Sequence, residues 1–131
     1  MKNSKLYETV NEGVIKCLVC ERRCLLTPGR KGVCRNYLNV EGRLEHLGYG
    51  RLSAVKSRPI EVKPLFHYWP GSTALTYSTW GCNFYCPWCQ NFYLSFNHPR
   101  DNDPVINPER LVEEALKTVM KVFQQVLTNL P

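Results

Sequence analysis

The sequence predicts an α/β fold, or α+β if only the residues present are counted. In it, a small cysteine-rich β domain precedes the first strand and helix of an α/β domain. Three observations lead to this: a cysteine-rich segment with many turn residues, the β-branched and aromatic run Thr73–Thr79, and a helical pattern of apolar residues after Asn107. We predict a cysteine-rich metal-binding β domain over residues 1–50, a linker over 51–72, and the start of the α/β domain over 73–131.

Size and composition restrict the class of protein. The 131 residues amount to one ordinary domain, or to a small domain and part of another. Apolar residues make up 44% and charged residues 21%, which is typical of globular chains and not of disordered ones. No stretch approaches the roughly 18 apolar residues of a membrane span, and the N-terminal sequence MKNSKLYETVNEG lacks the apolar core of a signal peptide. We therefore expect a cytoplasmic protein with no membrane partner.

The net charge of +6 is concentrated in residues 16–63, which hold eleven basic side chains against four acidic ones. Such an excess attracts anionic partners in nucleic-acid-binding proteins, but scattered basic residues usually form a solvated surface. Because the basic residues here are scattered, we favour the solvated surface, and nucleic acid is not an expected partner.

The elements of the first domain are predicted from its turn residues and from the alternation of apolar and polar residues. Residues 14–36 are predicted to be a cysteine-rich loop segment. Residues 33–38 and 43–49 show partial alternation on either side of 39–42, which favours a β-hairpin. Residues 50–72 contain three prolines in mixed sequence, and we predict an extended linker with short β pieces.

A strand, a cysteine-containing loop and a helix follow in that order. The strand Thr73–Thr79 ends just before Gly81, and the helix begins with Asn107 as its N-cap and Pro108 in its first turn. The apolar residues at helical spacing are Leu111, Val112, Ala115, Leu116, Val119 and Phe123. This order is typical of the opening of a βα unit.

Seven cysteines are many for a cytosolic chain, where thiols stay reduced and clustered cysteines usually bind metal or carry out redox chemistry. The odd number also argues against a closed set of disulfides. The cysteines form a group of four and a group of three: Cys17, Cys20, Cys24 and Cys34, then Cys82, Cys86 and Cys89.

The group of four has the spacing C-x2-C-x3-C-x9-C, which is typical of a structural metal site. We favour zinc over a second iron–sulfur cluster and over free thiols, and nearby arginines would offset the thiolate charge. From the sequence alone, loss of Cys17 or Cys34 is expected to destabilise the N-terminal domain and to leave the second cysteine group intact.

The group of three has the spacing C-x3-C-x2-C, and its thiolates can converge only from a loop. One interpretation is a zinc site that borrows a fourth ligand such as His98; another is a [4Fe–4S] cluster with one iron open to a non-protein ligand. His46, His67 and His98 are isolated, and each is more typical of a packed or surface histidine than of a ligand. The position of the motif after a strand, and of Trp88 where a ring could lie against an adenine, favours the cluster.

The motif Cys82-x3-Cys86-x-Trp88-Cys89 resembles that of the radical S-adenosylmethionine (SAM) superfamily. Most of residues 17–95 resembles more specifically the radical SAM enzyme of the AmmeMemoRadiSam system, which is also described as pyruvate formate-lyase activating enzyme-like. The matching segments are CLVCERRC (17–24), GRKGVCRN (29–36), YG (49–50), PIE (59–61), KPLFH (63–67), PG (70–71) and GCN through CQN (81–91). Arg58 and Val62 depart from the family pattern, which tends to have Asp and Lys at these positions.

The resemblance implies a partial (β/α)6 barrel whose first loop binds a [4Fe–4S] cluster through Cys82, Cys86 and Cys89. It also implies that Trp88 and Tyr85 approach SAM, and that an external electron donor reduces the cluster. Reductive cleavage of SAM would then be followed by abstraction of a hydrogen atom from an unknown substrate, with a protein glycyl residue as one option. The alternative is a non-catalytic zinc-binding module with a basic surface.

The chain is short for the enzyme that it resembles, since only 42 residues follow Cys89. In the family, the first barrel helix leads into a short strand ending near Asn-Glu-Pro, whereas here helical sequence continues as MKVFQQVLTNLP. Codons can be chosen for the residues from Met120 onward so that a shifted reading frame encodes EGISAGLNEP, which ends in the tripeptide expected from the family. We therefore expect a truncated and inactive N-terminal part, with a frame shift near Thr118–Met120 and one long C-terminal helix.

Overall fold

A computed structural model describes residues 2–117, and these residues form a strand-rich α+β chain. The strands are β1 (Lys2–Asn3), β2 (Tyr7–Asn11), β3 (Val14–Cys17), β4 (Leu25–Leu26), β5 (Tyr37–Val40), β6 (Arg43–His46), β7 (Leu52–Pro59) and β8 (Thr73–Thr79). The helices are a 3-10 turn at Ile60–Val62, the short α1 (Phe92–Ser95) and a helix that runs from 108 to 117 in the described part. The predicted helical extension beyond 118 lies outside the described residues. No helix within residues 2–117 is long and apolar enough to cross a membrane.

The chain divides into two compact units. The first unit combines residues 2–53 with 79–105, so both cysteine groups belong to it. The second contains 54–78 and, among the described residues, 106–117. The sequence-based domain division stays a prediction, and the unexpected point is that the second cysteine loop packs with the N-terminal residues.

The first unit is built on two small antiparallel sheets, with strand orders β1-β6-β5 and β2-β3-β4. Strand β3 alternates half-buried and buried residues, which is the pattern of a strand with one face on a core. The core of the unit consists of Ile15, Cys17, Leu26 and Leu44, each no more than 7% exposed. The prediction of a loop throughout 14–36 is therefore wrong at β3 and β4, because alternate residues there are needed to form this core.

The predicted hairpin is present, with a turn at Glu41 and Gly42. Both residues have positive φ, 50° and 82°, as a two-residue hairpin turn requires. The sequence placed Asn39 in the turn, but it lies in β5 and is fully buried. Its Nδ2 donates to the carbonyls of Gly13 and Leu26, at 2.8 and 2.7 Å, and its Oδ1 accepts from the Gly42 N–H at 2.8 Å.

We expect Asn39→Ala to lower the free energy of unfolding of the first unit by about 3 kcal/mol, because buried backbone groups lose their partners. Urea unfolding measures the change. The control is Asn97→Ala, which removes one hydrogen bond, to the Tyr93 carbonyl, at an exposed site. Equal effects of the two substitutions would contradict a bridging role for Asn39.

In the second unit, β7 pairs with β8 in a two-stranded sheet. Strand β8 has the predicted bounds. Strand β7 fills the first part of the predicted linker, with most of its residues exposed. The predicted helix start is also confirmed, since Asn107 Oδ1 accepts from the Arg110 N–H at 2.9 Å.

Candidate metal centres

The four cysteines of the first group line one solvent-open cavity, which we call the four-cysteine cavity. Its remaining lining residues are Val19, Arg22, Gly32, Val33, Tyr37 and Asn83. The Cys17 N–H donates to the Cys24 carbonyl at 2.9 Å, and the Arg23 N–H donates to the Cys20 carbonyl at 3.1 Å. These two bonds fold the segment after β3 back on itself, so that thiols seven residues apart in sequence face the same space.

A tight turn brings Cys34 to the cavity. The Arg35 N–H donates to the Gly32 carbonyl at 2.8 Å, and the Gly32 N–H donates to the Tyr37 carbonyl at 2.9 Å. A Cβ atom at Gly32 would stand 3.8 Å from Cys24 Sγ and 3.9 Å from Cys34 Sγ. A side chain at position 32 would therefore occupy space beside two of the sulfurs.

The electrostatics of the cavity depend on burial and on the closeness of the thiols. Burial raises the pKa of the Cys17 and Cys34 thiols, and the neighbouring thiolates raise it further. In the opposite direction, the backbone N–H groups of Val19 and Asn36 bond to Cys17 and Cys34 and lower the pKa of each thiol. Each of these backbone groups lies two residues after its cysteine, and its effect is smaller than that of burial. Four soft donors held this way fit the chemistry of zinc.

His46 lies behind the cavity and is packed, as the sequence indicated for an isolated histidine. It is the cross-strand partner of Tyr37 in β5, and the two rings stack with centroids 4.6 Å apart. Burial lowers the pKa of His46. The Tyr37 ring therefore has the cavity on one side and a neutral imidazole on another.

The lowered pKa of His46 predicts loss of stability in acid. Below the unfolded pKa of about 6.5, the unfolded chain takes up a proton that the folded chain resists, so the free energy of unfolding falls until the pH passes the lowered folded pKa. We expect His46→Gln to reduce this slope in unfolding experiments across that range. The exposed His98, changed to Gln, is the control and should leave the slope unchanged. An identical slope in wild type and His46→Gln would refute the assignment.

The second cysteine group lies on a loop that closes on itself. The Gly81 N–H donates to the Leu94 carbonyl at 2.9 Å and joins the two ends of the loop. Within it, the Cys89 N–H donates to the Cys86 carbonyl at 3.1 Å, and the Phe92 N–H that begins α1 donates to the Cys89 carbonyl at 3.2 Å. We call residues 80–94 the second cysteine loop.

The three thiols of this loop are half-buried, and those of Cys82 and Cys89 have polar neighbours. Cys82 Sγ accepts from the Phe84 N–H at 3.4 Å, again from a donor two residues later. The Cys89 thiol lies 3.4 Å from Ser95 Oγ. Hydrogen bonds to sulfur stabilise thiolates and tune iron–sulfur clusters, so this donor set fits such a cluster.

The two aromatic residues assigned to SAM have different surroundings. Trp88 is 84% exposed and stands beside the cysteines. The Tyr85 ring stacks on Phe96 with centroids 5.4 Å apart, and its hydroxyl donates to the Val33 carbonyl at 3.2 Å. Trp88 thus offers an exposed ring one residue before Cys89, whereas the Tyr85 hydroxyl is hydrogen-bonded to the first cysteine segment. Contact of either residue with SAM stays a prediction.

The sequence did not indicate that the two cysteine groups touch. Arg22, between two cysteines of the first group, donates through Nε to the Asn83 carbonyl at 2.9 Å. Asn36 donates through Nδ2 to the Trp80 carbonyl at 2.6 Å. Gly81 has φ 77°, and a Cβ there would overlap the Cys34 carbonyl oxygen. Backbone carbonyls accept in both bonds, so the side chains of the loop do not indicate these contacts. The glycine before Cys82 is the one residue of the loop sequence that points to close packing.

In residues 2–117, no three Cys, His, Asp or Glu side chains are arranged closely enough, as they stand, to hold a metal ion. The four cysteines of the first group share one cavity, and the second loop carries three further half-buried thiols. The assignment of zinc to the first group and a cluster to the second stays a prediction.

Comparison with known proteins gives one significant relative among curated sequences. The chain is 36% identical, over 119 residues, to a protein of Methanocaldococcus jannaschii described as "Uncharacterized protein MJ0808". The match covers 89% of this chain and 35% of the relative, so the chain spans about a third of that protein's length. No family model matches the chain. No solved structure matches it significantly.

Proposed function

We propose that this chain carries the cluster-binding segment of a radical SAM enzyme, of the kind found in the AmmeMemoRadiSam system. Cys82, Cys86 and Cys89 hold a [4Fe–4S] cluster in the intact enzyme, and Trp88 lies against SAM. The observation that supports this most is the closed loop that follows β8, in which three half-buried thiols lie beside one exposed tryptophan ring.

The residues of the loop have separate tasks under this proposal. Cys82, Cys86 and Cys89 would hold three irons of the cluster and leave the fourth open to SAM, and the cluster, reduced by an external donor, would supply the chemistry of reductive SAM cleavage. The Phe84 N–H donates to Cys82 Sγ and helps to orient this sulfur. Trp88 supplies an apolar surface on which an adenine ring stacks.

The proposed reaction is abstraction of a hydrogen atom from a substrate. The chemistry of the loop does not distinguish between two substrates, a protein glycyl residue and another partner of the same system. The group of four cysteines is proposed to bind zinc and to stabilise the small first unit. No part of this proposal requires a nucleic acid or a membrane.

Anaerobic reconstitution with ferrous iron and sulfide tests the proposal. We expect the full chain to acquire a brown, oxygen-sensitive chromophore, a paramagnetic signal upon reduction, and a change in that signal when SAM is added. Iron incorporation that is independent of Cys82, Cys86 and Cys89 would contradict the assignment.

The rival function is a non-catalytic zinc-binding module with a basic surface. The observation that favours it is the four-cysteine cavity within the basic segment 16–63. Under this alternative, the reconstituted chain stays colourless and binds zinc at both cysteine groups.

A further inference from the structure

The four-cysteine cavity and the second cysteine loop are joined by side chains that lie between or directly beside the cysteines of the first group. Arg22 is two residues from both Cys20 and Cys24, and Asn36 is two residues after Cys34. Any ion that fixes these cysteines also fixes the Arg22 and Asn36 donors.

Three hydrogen bonds connect the first cysteine segment with the second cysteine loop. Arg22 Nε holds the Asn83 carbonyl and Asn36 Nδ2 holds the Trp80 carbonyl, at 2.9 and 2.6 Å. The Tyr85 hydroxyl donates to the Val33 carbonyl at 3.2 Å. Their loop ends lie at positions 80, 83 and 85, on both sides of Cys82, so the backbone around this cysteine is fixed from outside the loop.

The Asn36 side chain is hydrogen-bonded to the loop. Its Oδ1 is buried and has no hydrogen-bond partner among the described residues. Its side chain reaches Trp80, and the residue itself stands two positions after Cys34. Asn36 therefore connects the segment that carries Cys34 with the backbone two residues before Cys82.

Close packing supports the same connection. Gly81 lies against the Cys34 carbonyl and against Asn36 Nδ2, with no room for a side chain. Asn83 also lines the four-cysteine cavity. The second cysteine loop thus forms part of the wall of the first site.

We infer that the four-cysteine site is a positioning device for the second cysteine loop, so that zinc bound at the first site controls how firmly the second site retains its cluster. Arg22 and Asn36 are the positioning residues. The part concerning cluster retention rests on the proposed function; the part concerning the loop's position does not.

The test uses the full chain with the substitutions Arg22→Ala and Arg23→Ala. Arg23 is the matched control, because it is the next residue, carries the same charge and pairs with Glu21 at 2.8 Å instead of contacting the loop. Two rates are measured under anaerobic conditions: alkylation of Cys82, Cys86 and Cys89 in zinc-loaded chain without iron, and removal of iron from reconstituted chain by a chelator. Bound zinc and the melting temperature are measured in parallel.

We expect Arg22→Ala to keep its zinc and to show both rates increased by about two- to tenfold, the range expected for one net hydrogen bond. Arg23→Ala should match wild type, and Asn36→Ala should behave like Arg22→Ala. Removing zinc from wild type should raise the alkylation rate by at least as much, and Arg22→Lys should restore part of the protection.

The outcomes separate the two proposals. If wild type takes up no oxygen-sensitive cluster but the alkylation rates follow the expected order, the proposed function fails and the positioning role stands. If wild type holds a cluster and Arg22→Ala matches Arg23→Ala in both rates, the positioning inference is overturned. Equal alkylation rates in zinc-loaded and zinc-free wild type would overturn it as well.

Discussion

Replacing Cys82, Cys86 and Cys89 together with alanine is expected to abolish cluster binding by the second cysteine loop. Under the proposed function each of the three thiolates would hold a different iron of a [4Fe–4S] cluster, so no ligand would be redundant. Iron and sulfide analysis of the reconstituted protein should show about four iron atoms fewer per chain than in wild type. The paramagnetic signal that responds to SAM should disappear.

Gln90→Ala is the matched control, since Gln90 is an exposed residue beside Cys89 in the same loop. It should leave the iron content at the wild-type level. A triple-alanine variant with a full and SAM-responsive signal would show that the cluster is bound elsewhere.

Replacing Cys34 with alanine is expected to remove the metal of the first site and to destabilise the first unit by about 4 kcal/mol or more, a size typical of losing a structural metal. Metal binding and folding are coupled in so small a unit, because the buried core beside the cavity consists of few side chains. Bound zinc and thermal unfolding measure the two effects. A chelator should lower the melting temperature of wild type and leave that of Cys34→Ala nearly unchanged.

The control for this substitution is Cys86→Ala, which removes a half-buried thiol outside the four-cysteine cavity. It should keep its zinc and its melting temperature. If Cys34→Ala retained zinc with wild-type unfolding behaviour, the four-cysteine site would not be a metal site.

The parts of the fold that the sequence predicted are those that local chemistry determines. Strand β8 is rich in residues that favour strands in any context, and Asn107 caps its helix with its own side chain. The turn at Glu41 and Gly42 needs a residue that tolerates positive φ, and Gly42 supplies it.

The parts that the sequence missed depend on partners far along the chain. Asn39 looks like a turn residue until the carbonyls of Gly13 and Leu26 are brought to it. The sequence predicts only short β pieces where β7 lies; this strand has mostly exposed residues and no alternation, so its full length depends on its pairing with β8. The contact of Gly81 with Cys34 joins residues 47 positions apart. For the same reason, the cysteine spacings predicted two separate groups, and the sequence alone led us to expect that they act independently.

The discontinuity of the first unit sets an order of events during synthesis. Domains assemble from the N-terminus as the chain leaves the ribosome. Both small sheets and all four thiols of the first cavity lie within residues 2–53 and emerge before any thiol of the second group exists. If the first site binds an ion as proposed, it can do so before the three later thiols emerge, since residues 54–78 separate the two parts of the first unit. The first four thiols would then not compete with the later three for iron.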